Sequence, residues 1–142
     1  MRDPHSQEDG KCLLNRFNIS DPEELQRRET PLALRRLIEL QVKPIAGAFN
    51  TSHLQSIHQY IFQDVYAWAG ELRRVSISKP GALFPPPQHL RSGLDNLFLQ
   101  LASENYLNTF ATSLFIPRAA YYLGEINAVH PFREGNGRTQ RE

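Results

Sequence analysis

Hydrophobic residues along most of the chain recur with the 3.6-residue period of an amphipathic helix. Asp21–Glu24 supplies an N-cap residue, a proline at the first helical position and two acidic residues, so it predicts the start of a helix. The apolar face of that helix follows as Leu25, Leu32, Leu34, Leu37, Ile38 and Leu40. Pro31 is expected to kink or split it, because proline lacks the backbone N–H that a helix interior needs.

A second helix is predicted from the capping box Ser52–Gln55 to a stop at Gly70. Its apolar face consists of Leu54, Ile57, Ile61, Phe62 and Val65. Trp68, just before the stop, is assigned to the core.

Two more helices are predicted, from about Gln88 to Asn105 and over residues 112–129. Pro117 is expected either near the start of the later helix or at a kink within it. The chain is therefore placed in the mainly α class, and the apolar stripes are interpreted as core.

One segment lacks the helical period. Residues 73–84 alternate polar and apolar side chains around a Pro80-Gly81 turn, which predicts a β-hairpin. Because an isolated two-stranded hairpin is only marginally stable, it must pack against the helices or bind something. A plain surface hairpin is the alternative.

Composition limits the possible classes of function. The 142 residues, 40% of them hydrophobic, fit one globular domain over 1–142, and the net charge of +1 gives no basic field that would indicate nucleic-acid binding. No apolar run approaches the roughly 20 residues that a membrane span requires, and the N-terminus lacks the core of a signal peptide. The single Cys12 excludes an internal disulfide, favours a reducing cytoplasmic setting and is expected to be buried.

Four histidines in the first ninety residues give no sign of a metal site. Their spacing relative to Cys12 does not match that of zinc ligands. They are interpreted as surface or helix-face residues: His5, His53, His58 and His89.

The candidate chemistry is concentrated in residues 130–141. Gly135 and Gly137 flank Asn136, so the backbone can adopt positive φ and point successive N–H groups inward as an anion-binding nest. A helix beginning near Arg138 adds unpaired N–H groups, and Arg138 and Arg141 on one face can bind phosphate oxygens.

Two further side chains complete the set. Glu134 is a hard oxygen ligand suited to Mg²⁺ held jointly with phosphates and water, and His130 is the one titratable base. Taken alone, Asn136-Gly137 is a common hairpin turn, a terminal histidine is usually a polar cap, and the arginines would be solvated charges. The helical flanks favour a helix–loop–helix nest instead.

Residues 130–141 resemble the signature of the Fic family, His-x-Phe-x-(Asp/Glu)-Gly-Asn-Gly-Arg-x-x-Arg, at every specified position. Residues 66–73, residues 121–127 and the N-terminal pattern of Gly10, Asn15, Ile19 and Leu25 also look like stand-alone bacterial Fic toxins. Members with Gly-Asn-Gly-Arg typically transfer AMP from ATP to a Ser, Thr or Tyr hydroxyl of a protein and release pyrophosphate. The Doc branch, which phosphorylates its target, replaces these glycines.

The resemblance implies a Fic-type helical bundle with a β-hairpin flap, acting as a protein adenylyltransferase. His130 would be the base, Phe132 an anchor for the loop and Glu134 the Mg²⁺ ligand. ATP would be held through its phosphates by the N–H groups of Gly135, Asn136 and Gly137, by Arg138 on the β-phosphate and by Arg141 on the γ-phosphate.

The family also implies partners. A target protein would pair its main chain with the flap residues Val75, Ser76, Ile77, Ser78 and Lys79. The family's inhibitory motif, (Ser/Thr)-x-x-x-Glu-(Gly/Asn), has its nearest match in Ser20–Leu25, which ends in leucine and is interpreted as a helix cap. An inhibitory glutamate is therefore expected from a separate antitoxin or from further C-terminal sequence.

The family continues beyond the position of Glu142, so the chain is expected to be truncated and weakly active. The expected setting is the bacterial cytoplasm, with delivery into a host cell as an open alternative. Other functional hypotheses are a non-catalytic nucleotide-binding or protein-docking module, and a Fic enzyme that transfers a different phosphate-containing group.

Overall fold

The computed structural model describes residues 2–142 and contains, over that range, five α-helices and one small β-hairpin. The helices are α1 Pro22–Val42, α2 Thr51–Phe62, α3 Leu90–Ser103, α4 Thr112–Val129 and α5 Asn136–Gln140. The strands are β1 Ser78–Lys79 and β2 Ala82–Leu83, and 3₁₀ turns occupy Pro87–His89 and Asn105–Leu107. The prediction of a mainly α bundle with a hairpin is confirmed.

The first helix begins where its capping residues predict. Asp21 is the N-cap, and its carboxylate accepts a hydrogen bond of 3.2 Å from the Glu23 N–H. This confirms that Ser20–Leu25 forms a helix cap. Pro31 lies inside α1 without splitting it, whereas Leu34 and Ile38 of the predicted apolar face are exposed.

The second helix differs from its prediction at both ends. Asn50, not Ser52, is the N-cap, and its side chain accepts a 2.9 Å hydrogen bond from the His53 N–H. The helix ends at Phe62 rather than Gly70, because the Phe62 carbonyl accepts from both Val65 and Tyr66 and the chain turns there.

The two later helices match their predictions more closely. The third is shorter than expected and is flanked by the two 3₁₀ turns. The fourth has the predicted bounds, 112–129, and runs through Pro117.

The largest hydrophobic cluster joins the N-terminal segment, α1, α2 and the turn after α2. Cys12 and Trp68 are both buried in it, as predicted. A second cluster, Leu54, Leu94 and Phe132, anchors the loop between α4 and α5 against α2 and α3. The predicted role of Phe132 as an anchor is therefore confirmed by its 1% exposure.

The hairpin is shorter than the sequence predicts. Only Ser78 and Lys79 pair with Leu83 and Ala82, and Gly81 turns with φ +77°. Residues 75–77 lie outside the ladder. In the observed register Ser76 and Val75 would face Pro85 and Pro86, which have no N–H to donate, and the carbonyls of Val75 and Pro85 accept hydrogen bonds from the side chain of Arg73.

Two of the histidines interpreted as surface or helix-face residues are buried. His58 on α2 is fully buried, and His5 is 2% exposed, stacked on Trp68. The Nε2 of His58 donates to the Glu134 carbonyl at 2.9 Å, and its Nδ1 accepts from the Gly70 N–H at 2.8 Å. Both ring nitrogens are thus used by backbone partners distant in sequence, which local periodicity does not reveal.

No helix within residues 2–142 is long and apolar enough to cross a membrane.

The burial of His58 predicts acid sensitivity. Burial lowers the pKa of His58 to about 4, against about 6.5 in an unfolded chain. Between these values the unfolded chain binds the additional proton, so the stabilisation present above pH 6.5 is lost as pH falls toward 4. We expect His58 to account for about 3 kcal/mol of the loss in unfolding free energy, from about 1.4 kcal/mol per pKa unit.

Urea unfolding between pH 4 and 7.5 tests this expectation in the wild type, in His58→Gln and in the control His89→Gln, which alters an exposed histidine. Other acidic groups contribute equally to all three curves. The His89 variant should keep the wild-type slope and the His58 variant should be flatter. Parallel curves, or an NMR titration midpoint of His58 near 6.5, would contradict the assignment.

Candidate active site

A polar cleft of about 290 Å³ brings the hairpin and the 130–141 segment together. From the hairpin side it is lined by Ile77, Ser78 and Lys79, whereas Val75 and Ser76 lie outside the lining. The other side is formed by His130, Arg133, Glu134, Gly135, Asn136, Gly137, Arg138 and Arg141. Every site residue that the sequence analysis selected within 130–141 therefore faces one cleft.

A larger cavity of about 510 Å³ lies among the helices on the other side of α5. Its lining is mainly apolar, with residues such as Leu40, Ile57 and Phe98. The smaller cleft is the better candidate for chemistry, because it holds His130 and the groups that the sequence predicts to bind phosphate.

The side chain of Asn136 holds the loop in shape. Its Oδ1 accepts from the Phe132 N–H and its Nδ2 donates to the Phe132 carbonyl, both at 2.8 Å. Asn136 is also buried, at 6% exposure. The sequence predicts a role only for the backbone N–H of Asn136, whereas the structure shows that its side chain fixes the turn.

Gly135 is the one glycine of the motif with a left-handed backbone, at φ +78°. A Cβ there would lie 2.3 Å from the ring of Phe62, so space as well as conformation requires glycine. Gly137 instead lies inside α5, which begins at Asn136, two residues before the predicted start. The predicted nest is thus one left-handed residue followed by a helix N-terminus.

Free backbone N–H groups line the start of α5. Within residues 2–142, the N–H groups of Asn136, Gly137 and Arg138 have no acceptor, since they belong to the first turn of the helix. The N–H of Gly135 donates to its neighbour, the Glu134 Oε1, at 2.9 Å. Three adjacent amides are therefore free to bind an anion such as phosphate.

His130 is prepared as a neutral base. It ends α4 with a left-handed backbone, φ +48°, and its ring stacks on Phe84 with centroids 4.3 Å apart. The Nδ1 lies 3.3 Å from the Asn127 carbonyl, which can only accept, so Nδ1 carries the proton and Nε2 is the basic nitrogen. Burial lowers the pKa of His130, and the positive charges of Lys79 and Arg73 act in the same direction.

Glu134 presents a half-exposed carboxylate to the cleft, with a side chain 48% exposed. Its Oε1 accepts from Gly135, whereas its Oε2 accepts no hydrogen bond from residues 2–142. No group of three or more His, Cys, Asp or Glu in that range could hold a metal. A single carboxylate fits Mg²⁺ only where phosphate oxygens and water complete the shell.

Arg138 is held from behind by a carboxylate that the sequence analysis missed. Its Nη2 donates to Glu29 Oε1 at 2.6 Å, and its guanidinium lies over the Phe62 ring at 4.7 Å. Glu29 is 5% exposed, and its other oxygen accepts from the hydroxyl of Tyr66. A signal existed: Glu29 follows Leu25 and precedes Ala33 by four residues, so it interrupts the buried stripe of α1.

Arg141 is exposed and donates from Nε to the Gly137 carbonyl at 2.8 Å. It forms no ion pair with the residues that the structure describes, so the remaining N–H groups of its guanidinium are available to a ligand.

Arg73 is the second residue that the sequence analysis missed. It is 2% exposed and donates from Nε to the His130 carbonyl at 2.8 Å. An arginine at the edge of a predicted hairpin gives no sequence signal for this role, because its partners are backbone carbonyls.

Residues 48–142 match the family model described as "Fic/DOC family". The chain is 41% identical over 140 residues to the protein adenylyltransferase VbhT of Bartonella schoenbuchensis, covering 99% of this chain but 29% of that protein. It is 31% identical over 140 residues to the probable protein adenylyltransferase Fic of Escherichia coli, covering 99% of this chain and 69% of that protein. A domain boundary at 1–142 stays a prediction.

Solved structures share the fold. The N-terminal FIC domain of Bep8 from Bartonella sp. 1-1C superimposes with a TM-score of 0.87 at 26% identity, covering 96% of this chain and 70% of that one. BepC from Bartonella tribocorum, solved with bound AMPPNP, gives a TM-score of 0.86 at 25% identity over 96% of this chain and 72% of that one.

The left-handed backbone of Gly135 and its close approach to the Phe62 ring predict that an added methyl group lowers stability strongly. Gly135→Ala should lower the unfolding free energy by about 2–4 kcal/mol, from left-handed strain and from overpacking against Phe62. Gly81→Ala is a matched control, since it has the same positive φ but nothing within 4 Å of the added Cβ, and it should cost about 1–2 kcal/mol at most. Urea denaturation measures both. Equal losses would show that the Phe62 contact does not constrain the loop.

Proposed function

The chain belongs to the Fic/DOC family, and we propose that it is a protein adenylyltransferase that transfers AMP from ATP to a Ser, Thr or Tyr hydroxyl of a target protein. The observation that carries the proposal is the cleft, which combines a neutral histidine, free helix N-terminal amides and a hairpin. The names of the relatives support the same chemistry. Because the chain spans only 29% of the length of VbhT, the activity of the whole protein is part of the proposal.

The nucleotide would be held through its phosphates. We propose that the N–H groups of Asn136 and Gly137 hold the α- and β-phosphates, with Arg138 on the β-phosphate and Arg141 on the γ-phosphate. The Gly135 N–H, predicted to share this role, donates to the Glu134 carboxylate instead. AMPPNP bound to the related BepC domain supports an ATP site. Since these groups are held by the fold before ligand arrives, they stabilise developing charge without reorganising.

His130 would act as the general base. Its Nε2 takes the proton of the target hydroxyl as the hydroxyl oxygen bonds to the α-phosphorus, and the bond from that phosphorus to the bridging oxygen breaks to release pyrophosphate. The lowered pKa of His130 keeps the ring neutral near pH 7, the state in which it can accept a proton.

Glu134 is the residue that we propose for Mg²⁺. Its carboxylate borders the free amides, which is where a metal-bound polyphosphate would lie. When bound, Mg²⁺ would neutralise phosphate charge, and the other ligands would be phosphate oxygens and water.

The flap would dock the target. We propose that the target's main chain pairs along Val75–Ile77, which lie outside the β1–β2 ladder, and along Ser78 and Lys79 beside the cleft. Such pairing reads backbone rather than side chains, so it sets the position of the modified residue more than the identity of its neighbours.

Regulation would act through Arg141. The guanidinium N–H groups that Arg141 leaves without an acceptor among residues 2–142 support the proposal that an inhibitory glutamate, from an antitoxin or from further sequence, competes there with the γ-phosphate. We propose the bacterial cytoplasm as the setting and a toxin as the biological role.

The central test compares labels from ATP. With α-³²P-ATP and bacterial lysate as the source of targets, the wild type should label protein, and His130→Ala should lower the rate by about 10²–10⁴-fold with nearly unchanged ATP affinity. His89→Ala, outside the cleft, is the control. Label from γ-³²P-ATP would indicate phosphoryl transfer. ATP binding without any label on protein would indicate a non-catalytic nucleotide-binding module, and the absence of ATP binding would indicate a docking module. Transfer by His130→Ala at the wild-type rate would exclude His130 as the base.

The γ-phosphate assignment has its own test. Arg141→Ala should weaken ATP binding by about 1.5–3 kcal/mol, the contribution of a charged hydrogen bond, and leave ADP binding nearly unchanged because ADP lacks the γ-phosphate. Calorimetry with both nucleotides measures this, with Arg74→Ala, an exposed arginine paired to Glu71, as the control. Equal losses for ATP and ADP would place Arg141 on the β-phosphate or in a structural role.

A further inference from the structure

Arg73 is a buried cation that uses no carboxylate among residues 2–142. Its exposure is 2%, and each of its side-chain hydrogen bonds goes to a backbone carbonyl oxygen. Burying an ion costs several kcal/mol, and dipoles return part of that cost only when their geometry is good. An apolar side chain of the same volume would avoid this cost but would leave the carbonyl oxygens without their donors, so the cation contributes through its bonding geometry.

The carbonyl partners belong to two segments that are distant in the sequence. On one side, Nε donates to His130 at 2.8 Å and Nη2 to Val129 at 3.3 Å, the end of α4. On the other side, Nη1 donates to Val75 at 3.0 Å and Nη2 to Pro85 at 2.6 Å, the two ends of the flap. The planar guanidinium has five N–H donors in a fixed fork, which is the geometry that this arrangement needs.

Two neighbouring contacts extend the connection. The Arg73 backbone N–H donates to the Pro131 carbonyl at 2.9 Å, one residue past the histidine. Phe84, next to Pro85, stacks on the His130 ring at 4.3 Å with the planes 18° apart. The backbone and the ring of His130 are therefore both attached to the base of the flap.

We propose that Arg73 is the positioning residue of the cleft: it fixes the base of the flap and His130 in one rigid frame. Resting on the proposed function, this frame would present a hydroxyl held along the flap at a constant distance from the basic nitrogen. A hairpin with only two residue pairs in its ladder cannot supply that rigidity by itself.

The test compares Arg73→Lys with a matched control. Lysine keeps the positive charge but has one ammonium on a flexible stem, so it cannot donate to both segments at once. The control is Arg36→Lys, which disrupts bonds from Arg36 to Asp64 at 2.7 and 2.9 Å and to Glu39 at 2.9 Å, remote from the cleft. Both variants lose a guanidinium network, but only one network reaches the flap.

Two NMR measurements on the full chain need no reaction. In Arg73→Lys, backbone order parameters at Val75 and Phe84 should fall from about 0.85 to below about 0.6, with α2 unchanged. The ¹⁵N signals of His130 should change from a single Nδ1–H tautomer to a mixture. Arg36→Lys should show neither change.

A third measurement concerns the reaction. Arg73→Lys should lower the rate of label transfer from α-³²P-ATP at least tenfold and change ATP affinity by less than twofold, because Asn136, His58 and Thr139 still hold the carbonyls next to the free amides. A wild type that transfers no label contradicts the proposed function alone, since the NMR results still decide whether the frame exists.

Unchanged order parameters and tautomer in Arg73→Lys would overturn the proposal, and so would equal loosening of the flap in both arginine variants. If Arg73→Lys does not fold, Lys79→Pro provides the second test, because it breaks the ladder and leaves the arginine in place. The tip of the flap should then loosen while Val75, Phe84 and the His130 tautomer keep their wild-type signals. A fall in the order parameters of Val75 and Phe84, or a mixture of His130 tautomers, would show that the ladder, not Arg73, holds the frame.

Discussion

A loop that offers its amide groups to a ligand cannot also use them to hold itself together. Between α4 and α5 this constraint is met by fixing the carbonyl groups from behind. Arg73 binds the carbonyls of residues 129–131, and Asn136 binds that of Phe132. His58 binds that of Glu134, and Thr139 binds that of Gly135 through both its N–H and its hydroxyl. The amides of residues 136–138 are left free, and the loop keeps its shape without them.

The same separation of support from function appears at Arg138. A phosphate-binding arginine on a five-residue helix would have many rotamers, and fixing a long side chain costs up to about 2 kcal/mol of entropy. Glu29 and the ring of Phe62 hold the guanidinium before any ligand binds. Glu29 also partly neutralises the positive charge of Arg138 that would attract a phosphate. The ion pair therefore lowers the affinity of Arg138 for phosphate while it fixes the position of the guanidinium. The proposed phosphate role of Arg138 therefore requires its remaining donors to face the cleft.

The helices were predictable because their information is local: the apolar period, the Asp21 cap and the spacing within 130–141 lie within a few residues of each other. The cap at Asn50 rather than Ser52 is also set locally, by the bond from the His53 N–H to the Asn50 side chain. Other errors occur where distant groups decide, because His58 is buried by backbone partners twelve and seventy-six residues away. The cleft could be predicted as a set of residues, but the residues that support it could not. Glu29 is the exception, since a carboxylate within a buried stripe is visible in the sequence.

The backbone of His130 shows why support and chemistry are linked here. A non-glycine residue at φ +48° is strained by roughly 1–2 kcal/mol, and glycine would remove the strain. The proposed role as general base nevertheless requires an imidazole at this position. The left-handed turn directs the chain from the end of α4 into the loop while the side chain lines the cleft. The strain is offset by the Arg73 bond to the His130 carbonyl and by the Phe84 ring, both from the flap region. A conformation that the residue alone would avoid is therefore maintained by the segment that is proposed to carry the target. The flap is thus a structural part of the proposed catalytic site as well as its proposed docking edge.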